Sequence, residues 1–170
     1  MMGKRNEIRC KILPGGFLIS GRIRCGTQEP LTEGENCAGD TAGRNTEIGL
    51  KIRAERTGKD WTVIFNGGTE PHIGCAVLAV PRESLRGNGK RSSTASVLNV
   101  TGHKDEEICR HVAERLSAET GRTVVCTGGV HLDGITPEEI GAVREAAGRM
   151  TERLIEEAVR QEKEGKTDER

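Results

Sequence analysis

The sequence predicts a single α/β domain in which a mixed, mostly antiparallel β-sheet carries two amphipathic helices packed on it. Alternation of apolar and polar residues dominates the first half of the chain, whereas helical periodicity appears twice in the second half. No segment repeats at a fixed interval, and a length of 170 residues suits one domain. We therefore expect one domain over residues 6–160, followed by a frayed polar tail over residues 161–170.

The first half is predicted to form two β-hairpins. Ile8, Cys10 and Ile12 alternate with polar residues, and turn residues 14–16 lead into the second strand. Between the hairpins, residues 26–45 are rich in Gly, Glu, Asn, Asp and Thr, so a flexible insert is predicted there. The four predicted strands cover residues 7–13, 17–25, 48–54 and 61–65.

Two strands and a loop follow. The near-continuous apolar run Ile73–Val80, ended by Pro81, predicts a buried strand. Residues 82–93 form a basic, glycine-containing loop, and residues 94–100 form the next strand. The loop contains Arg82, Arg86, Lys90 and Arg91, which would suit a solvated loop or the grip on an acidic partner.

The chain ends in a helix, a strand and a second helix. Apolar spacing predicts a helix over residues 105–120 that stops at Gly121, and a short strand over residues 122–127. Thr136-Pro137-Glu138-Glu139 is a capping box with proline at the first helical position. The apolar stripe behind it, which begins at Ile140, extends to about Arg160. It would dock on the sheet or form a self-association surface.

Composition excludes several classes of function. Lys plus Arg and Asp plus Glu both number 26, so the basic surplus typical of a nucleic-acid binder is absent. With two Phe, one Trp and no Tyr, single-strand stacking is also disfavoured. The apolar runs are too short to span a membrane. The polar N-terminus is unlike a signal peptide and no CxxC occurs, which favours cytoplasmic thiols.

Three segments, residues 66–74, 101–106 and 127–136, each place glycine and then histidine after a strand. Glycine allows positive φ and close approach of a ligand to the backbone. Two segments lead into helix N-termini, which favour anions. If the sheet brings the segments to one edge, we expect one shared binding site. Its candidate residues are Gly67, Gly68, His72, Gly102, His103, Lys104, Gly128, Gly129, His131 and Asp133.

The residues alone leave other chemistry open. The histidines of the three segments could bind zinc, but no local ligand spacing supports this, so no metal is expected. A Cys–His nucleophile pair would use Cys75, Cys109 or Cys126. His111 is predicted to be an ordinary helix residue. A small enzyme could use the histidines and Asp133 as acid–base groups on a phosphorylated or carboxylated substrate.

In this order, GGTEPHIG (67–74), GHKDE (102–106) and GGVHLDGIT (128–136) resemble the prenylated-flavin chaperone (LpdD-like) family, related to bacterial proteasome-assembly-chaperone-like domains. The likeness covers residues 47–158, and the insert 26–45 departs from it. The resemblance implies a small, dimerising α/β sandwich and no catalysis. It implies an accessory protein that binds prenylated FMN or delivers it to a UbiD-type decarboxylase. A protein-only assembly chaperone and the small enzyme are the alternatives.

Overall fold

The protein's structure is a computed structural model that describes residues 7–25 and 46–165. The sheet has the strand order β1-β2-β3-β4-β7-β5-β6, and every neighbouring pair is antiparallel except β4 and β7. The predicted mixed, mostly antiparallel sheet with two helices is therefore confirmed, while the insert 26–45 lies outside the described residues. The elements are β1 (Glu7–Leu13), β2 (Gly16–Cys25), β3 (Thr46–Thr57), β4 (Asp60–Gly68), β5 (Cys75–Glu83), β6 (Arg91–Asn99), α1 (Glu106–Thr120), β7 (Val124–His131) and α2 (Pro137–Gly165).

The core lies between one face of the sheet and the two helices. α1 packs on β5, β6 and β7, α2 packs on β2, and the helices contact each other. Met150 of α2 lies over Gly21 of β2, where an added Cβ would come within 2.7 Å of the Met150 sulfur. The α2 stripe is therefore buried against its own sheet instead of forming a self-association surface. Its buried members include Val143, Ala147, Met150, Leu154 and Ala158.

The length of α2 and the position of Ile140 differ from prediction. α2 continues past Arg160 to Gly165, carried by ion pairs such as Arg160–Glu164 on its exposed side. Ile140 is 37% exposed because it lies at the edge of the buried stripe. Among the described residues, no helix combines the length and the apolar character that a membrane crossing needs.

The capping box at the start of α2 is confirmed and predicts an order of stabilities. Thr136 Oγ1 accepts a hydrogen bond from the Glu139 N–H, and a Glu139 carboxylate oxygen accepts one from the Thr136 N–H. We expect Thr136→Ala to lower the free energy of unfolding by about 1 kcal/mol, and the exposed Ile140→Ala to lower it by less. Urea unfolding of both variants measures the difference. A larger loss for Ile140→Ala would contradict the observed burial.

The prediction that Ile73–Val80 forms a buried strand is correct for one face only. Ile73 is 66% exposed and precedes β5, and Leu78 and Val80 are 42% and 46% exposed. The reason is that the helices cover only one face of the sheet. Pro81 lies inside β5 because β7 pairs with β5 only as far as Ala79, so the missing proline N–H is not needed there.

Several other boundaries are shifted outward along the strands. The basic loop is shorter than residues 82–93, because β5 ends at Glu83 and β6 begins at Arg91. β4 and β7 run on to Gly68 and His131. The glycines of two candidate segments therefore belong to paired strands and not to turns.

Candidate functional site

The three Gly–His segments meet at one edge of the sheet. β4 and β7 are parallel and end side by side, with Gly68 paired to His131. β5 starts at this edge and β6 ends there, since Cys75 pairs with Asn99. His72 therefore lies between β4 and β5, His103 between β6 and α1, and His131 at the end of β7. The His72 ring centroid lies 4.6 Å from that of His103 and 6.0 Å from that of His131.

Asp105 lies at the centre of this histidine edge, although it was not among the site residues predicted from the sequence. His72 Nε2 lies 2.9 Å from His103 Nδ1 and 3.3 Å from Asp105 Oδ2. His103 Nδ1 lies 3.4 Å from the same carboxylate oxygen. His103 and Asp105 are two positions apart, and this short spacing is the sequence signal that could have indicated a pair. His72 lies 31 positions before His103 in the chain.

Asp105 does not cap its own helix. It occupies the N-cap position of α1, with φ −69° and ψ −13°, but its side chain makes no capping hydrogen bond. Oδ1 instead accepts the N–H of Val130 at 2.9 Å, and Oδ2 faces the two histidines. A side-chain N-cap hydrogen bond contributes about 1 kcal/mol to helix stability. α1 lacks this contribution because the Asp105 carboxylate faces Val130 and the two histidines.

Two glycines make room for this cluster. A Cβ on Gly74 would lie 2.0 Å from Asp105 Oδ2, and one on Gly129 would lie 2.6 Å from His72 Nε2. Gly129 was among the sequence candidates, whereas Gly74 was missed. Since neither has positive φ, the requirement at both positions is for space. Any larger residue would displace the polar atoms.

The remaining candidate glycines have different roles. Gly68 and Gly128 have φ of +79° and +141°, and a Cβ on either would meet a backbone oxygen of the neighbouring strand within 2 Å. Gly67 is packed against β3, with Gly49 O 2.5 Å from an added Cβ. Gly102 has φ +86° and open space around it. The first three maintain the strand edge, and Gly102 shapes an exposed turn before His103.

Charged residues surround the cluster on its solvent side. Lys104 is exposed. His131 Nε2 donates to Asp133 Oδ1 at 3.1 Å, and the Asp133 side chain is 91% exposed. The two carboxylates of Asp105 and Asp133 outnumber the one positive charge of Lys104, so these three side chains give the edge no positive surplus.

The cysteines near the cluster are unsuited to nucleophilic attack. Burial raises the pKa of the Cys75 thiol to about 12. A hydrogen bond with Cys126, together with burial, raises the pKa of Cys109. Because the thiolate is the nucleophile, Cys75 and Cys109 remain protonated and inert at neutral pH.

The basic loop lies at the opposite ends of β5 and β6 from the histidine edge. Arg82 donates to Thr94 Oγ1 at 2.8 Å, and Arg91 donates to the Glu119 carbonyl at 2.8 Å. These two arginines therefore tie the loop to its own domain and do not contribute to the candidate site.

Comparison with known proteins supplies a family. No curated protein matches the chain. Among solved structures, the chain aligns with one in the "Crystal Structure of a Novel Chaperone Complex for Yeast 20S Proteasome Assembly" at a TM-score of 0.38 and 14% identity, covering 92% of this chain and 98% of that one. The family model described as "Prenylated flavin chaperone LpdD-like domain" matches residues 44–159, which include the whole histidine edge. The chain therefore belongs to the family of LpdD-like prenylated flavin chaperones.

Proposed function

We propose that this protein binds prenylated FMN at the histidine edge as cargo and delivers it to a UbiD-type decarboxylase. Membership of the prenylated flavin chaperone family supports the cargo. The observation that carries the choice of site is that the three Gly–His segments meet at one edge, where the His72 ring lies close to the rings of both His103 and His131. Cargo binding requires recognition without turnover, so we assign no catalytic residue.

In this proposal the phosphate of the cofactor lies against the solvent side of the cluster. Lys104 supplies a positive charge and up to three hydrogen bonds. Asp133 orients His131 through their 3.1 Å hydrogen bond. Gly102 allows close approach because nothing lies within 4 Å of its added Cβ. The proposed contact residues are His72, Gly102, His103, Lys104, His131 and Asp133, while Gly67, Gly68, Gly128 and Gly129 give the edge its shape.

Replacement of Lys104 tests the cargo site. We expect Lys104→Ala to weaken binding of FMN or prenylated FMN by about 1–3 kcal/mol, because one charge-assisted contact to phosphate is lost. Titration calorimetry under anaerobic conditions measures the affinity. Lys59→Ala is the matched control, since Lys59 is an exposed lysine in the β3–β4 turn, at the opposite end of β4 from Gly68. Equal effects of the two substitutions would contradict the site.

The delivery step has its own experiment. Protein loaded with prenylated FMN is mixed with a UbiD-type apo-decarboxylase, and cofactor transfer and decarboxylase activity are followed together. Delivery predicts faster activation than free prenylated FMN gives at the same concentration. Complex formation without flavin transfer would favour the protein-only assembly chaperone. Chemical conversion of a phosphorylated or carboxylated compound by the protein alone would favour the small enzyme.

We also propose that the protein works as a homodimer through the face of the sheet opposite the helices. This face carries an open-face patch of exposed apolar side chains on neighbouring strands, beside a groove of about 400 Å³. On β2 and β3 the same face is charged, with ion pairs such as Arg22–Glu47. A second copy can cover the apolar part and leave the charged part in water. The patch consists of Ile64, Leu78, Val80, Leu98 and Val125.

A charged substitution in the patch tests the dimer. Leu98 is 78% exposed, so Leu98→Glu leaves the monomer's core intact while placing a charge in the proposed interface. We expect a dimer for the parent protein and a monomer for this variant in sedimentation velocity. Leu85→Glu is the control, because Leu85 is 89% exposed but lies in the loop outside the patch. A parent protein that is monomeric at high concentration would contradict the proposal.

We propose that this handover takes place in the cytoplasm. Cys75, Cys109 and Cys126 are buried as free thiols, which is typical of proteins that fold in a reducing compartment.

A further inference from the structure

We propose that His72, His103 and Asp105 form a binding site for one divalent transition-metal ion of the Zn²⁺ class. Their donor atoms are His72 Nε2, His103 Nδ1 and Asp105 Oδ2, separated by 2.9, 3.3 and 3.4 Å. Zinc binds imidazole nitrogen and carboxylate oxygen at about 2.0–2.2 Å, which places tetrahedral ligand atoms ~3.3 Å apart. The three atoms therefore already have the spacing of one coordination shell.

The hydrogen-bond pattern of the cluster also suits a metal cation. His72 Nδ1 faces the carbonyl of Glu70 at 3.2 Å and must donate to it, because a carbonyl only accepts. With this tautomer, His72 Nε2 presents a lone pair toward Asp105 Oδ2 at 3.3 Å. A proton placed on His103 Nδ1 would serve only one of these two acceptors well. A metal ion between the three atoms satisfies all of them.

The atoms of His72 and Asp105 that do not face the proposed metal are hydrogen-bonded to the backbone, as is usual for metal ligands. A ligating histidine usually donates its second N–H to a carbonyl or carboxylate, which fixes its tautomer and ring orientation. His72 has this arrangement through Glu70. Asp105 is held through Oδ1 by the Val130 N–H at 2.9 Å. The cluster is thus preorganised by backbone groups from the β4–β5 loop and from strand β7.

This set of ligands contains Asp105 in place of His131, which was the third histidine of the zinc site considered from the sequence. His131 Nε2 is bound to Asp133, and its ring lies farther from His72 than that of His103. Two imidazoles favour Zn²⁺, Co²⁺ or Fe²⁺ over Mg²⁺ and Ca²⁺, which prefer oxygen ligands. With three protein ligands, at least one coordination position remains for water or an anionic oxygen. The side chains of His72 and His103 are 24% and 35% exposed, so this position opens to solvent.

Binding of the metal alone tests the proposal, independently of any flavin. The full chain is freed of metal with a chelator and titrated with Co²⁺ and then Zn²⁺. We expect one ion per chain, a visible Co²⁺ absorption band that Zn²⁺ abolishes, and no cobalt–thiolate charge-transfer band. Affinity should fall at least tenfold in His72→Ala and His103→Ala. His111→Ala is the matched control, because His111 is an exposed histidine of α1 outside the cluster.

Other outcomes would overturn the site. These are the absence of stoichiometric binding, a thiolate band showing that cysteines hold the metal, or equal affinities for the parent and both ligand variants. Thermal melts of the metal-free variants establish that each is folded. Asp105→Asn provides a further variant, since an amide oxygen retains the Val130 hydrogen bond while the charged ligand is lost. We expect its Zn²⁺ affinity also to fall at least tenfold.

Discussion

Gly128→Ala is expected to lower the free energy of unfolding by more than about 4 kcal/mol, at the upper end for single substitutions. Gly128 has φ +141°, a conformation that costs an alanine about 1–3 kcal/mol. An added Cβ would also lie 1.7 Å from the carbonyl oxygen of Phe65 on β4. Because both atoms belong to paired backbones, relief requires β4 and β7 to separate. Urea unfolding followed by circular dichroism measures the loss.

Gly58→Ala separates conformational strain from the clash. Gly58 also has positive φ, at +62°, but nothing lies within 4 Å of its added Cβ. We expect it to cost only the left-handed penalty of about 1–2 kcal/mol. Similar losses at Gly58 and Gly128 would show that β7 can move away from β4 at little cost, contrary to the close pairing described above.

Trp61→Ala is expected to cost about 3–5 kcal/mol through loss of buried area and the cavity left behind. The Trp61 ring is 1% exposed and stacks on Phe17 with centroids 5.8 Å apart. The Arg56 guanidinium lies 4.1 Å from the Trp61 ring centre and pairs with Glu162 of α2 at 2.6 Å. The indole therefore supports both the core and the contact between β3 and the end of α2. Urea unfolding followed by circular dichroism measures this loss as well.

Trp61→Phe should cost clearly less. Trp61 Nε1 is buried without a hydrogen-bond partner within the described part of the chain, so removing it leaves no acceptor unpaired. A phenyl ring retains the stacking on Phe17 and a face for Arg56. A Trp61→Phe variant as destabilised as Trp61→Ala would show that the indole nitrogen has an essential partner.

Periodicity was sufficient to predict most of the fold. The alternation of apolar and polar residues in β1 to β3, and the apolar stripes of both helices, arise because one face of each element lies against the core. The run around Leu78 was misinterpreted because an apolar residue exposed on the open face looks the same in sequence as one buried by a second layer. Whether a layer covers that face depends on packing between distant segments.

The candidate site was predictable only in part. Strand ends followed by glycine and histidine predicted that the three segments would meet, because neighbouring strands share an edge. Asp105 was missed since aspartate before a helix is an ordinary cap, and the structure shows its side chain turned elsewhere. Because His72 and His103 are 31 positions apart, a search for metal ligands at short spacing in the sequence does not find the proposed metal site.

The position of β7 between β4 and β5 has a consequence for the order in which the chain can fold. Up to Thr120, the described residues form a four-strand meander and a separate β5–β6 hairpin, and within them the two are not directly paired. During synthesis both would present unpaired edges until residues 124–131 leave the ribosome, and such edges favour aggregation. The same insertion brings the Val130 N–H to Asp105. The histidine edge therefore becomes complete only when the sheet does, and a nascent chain that ends before β7 lacks it.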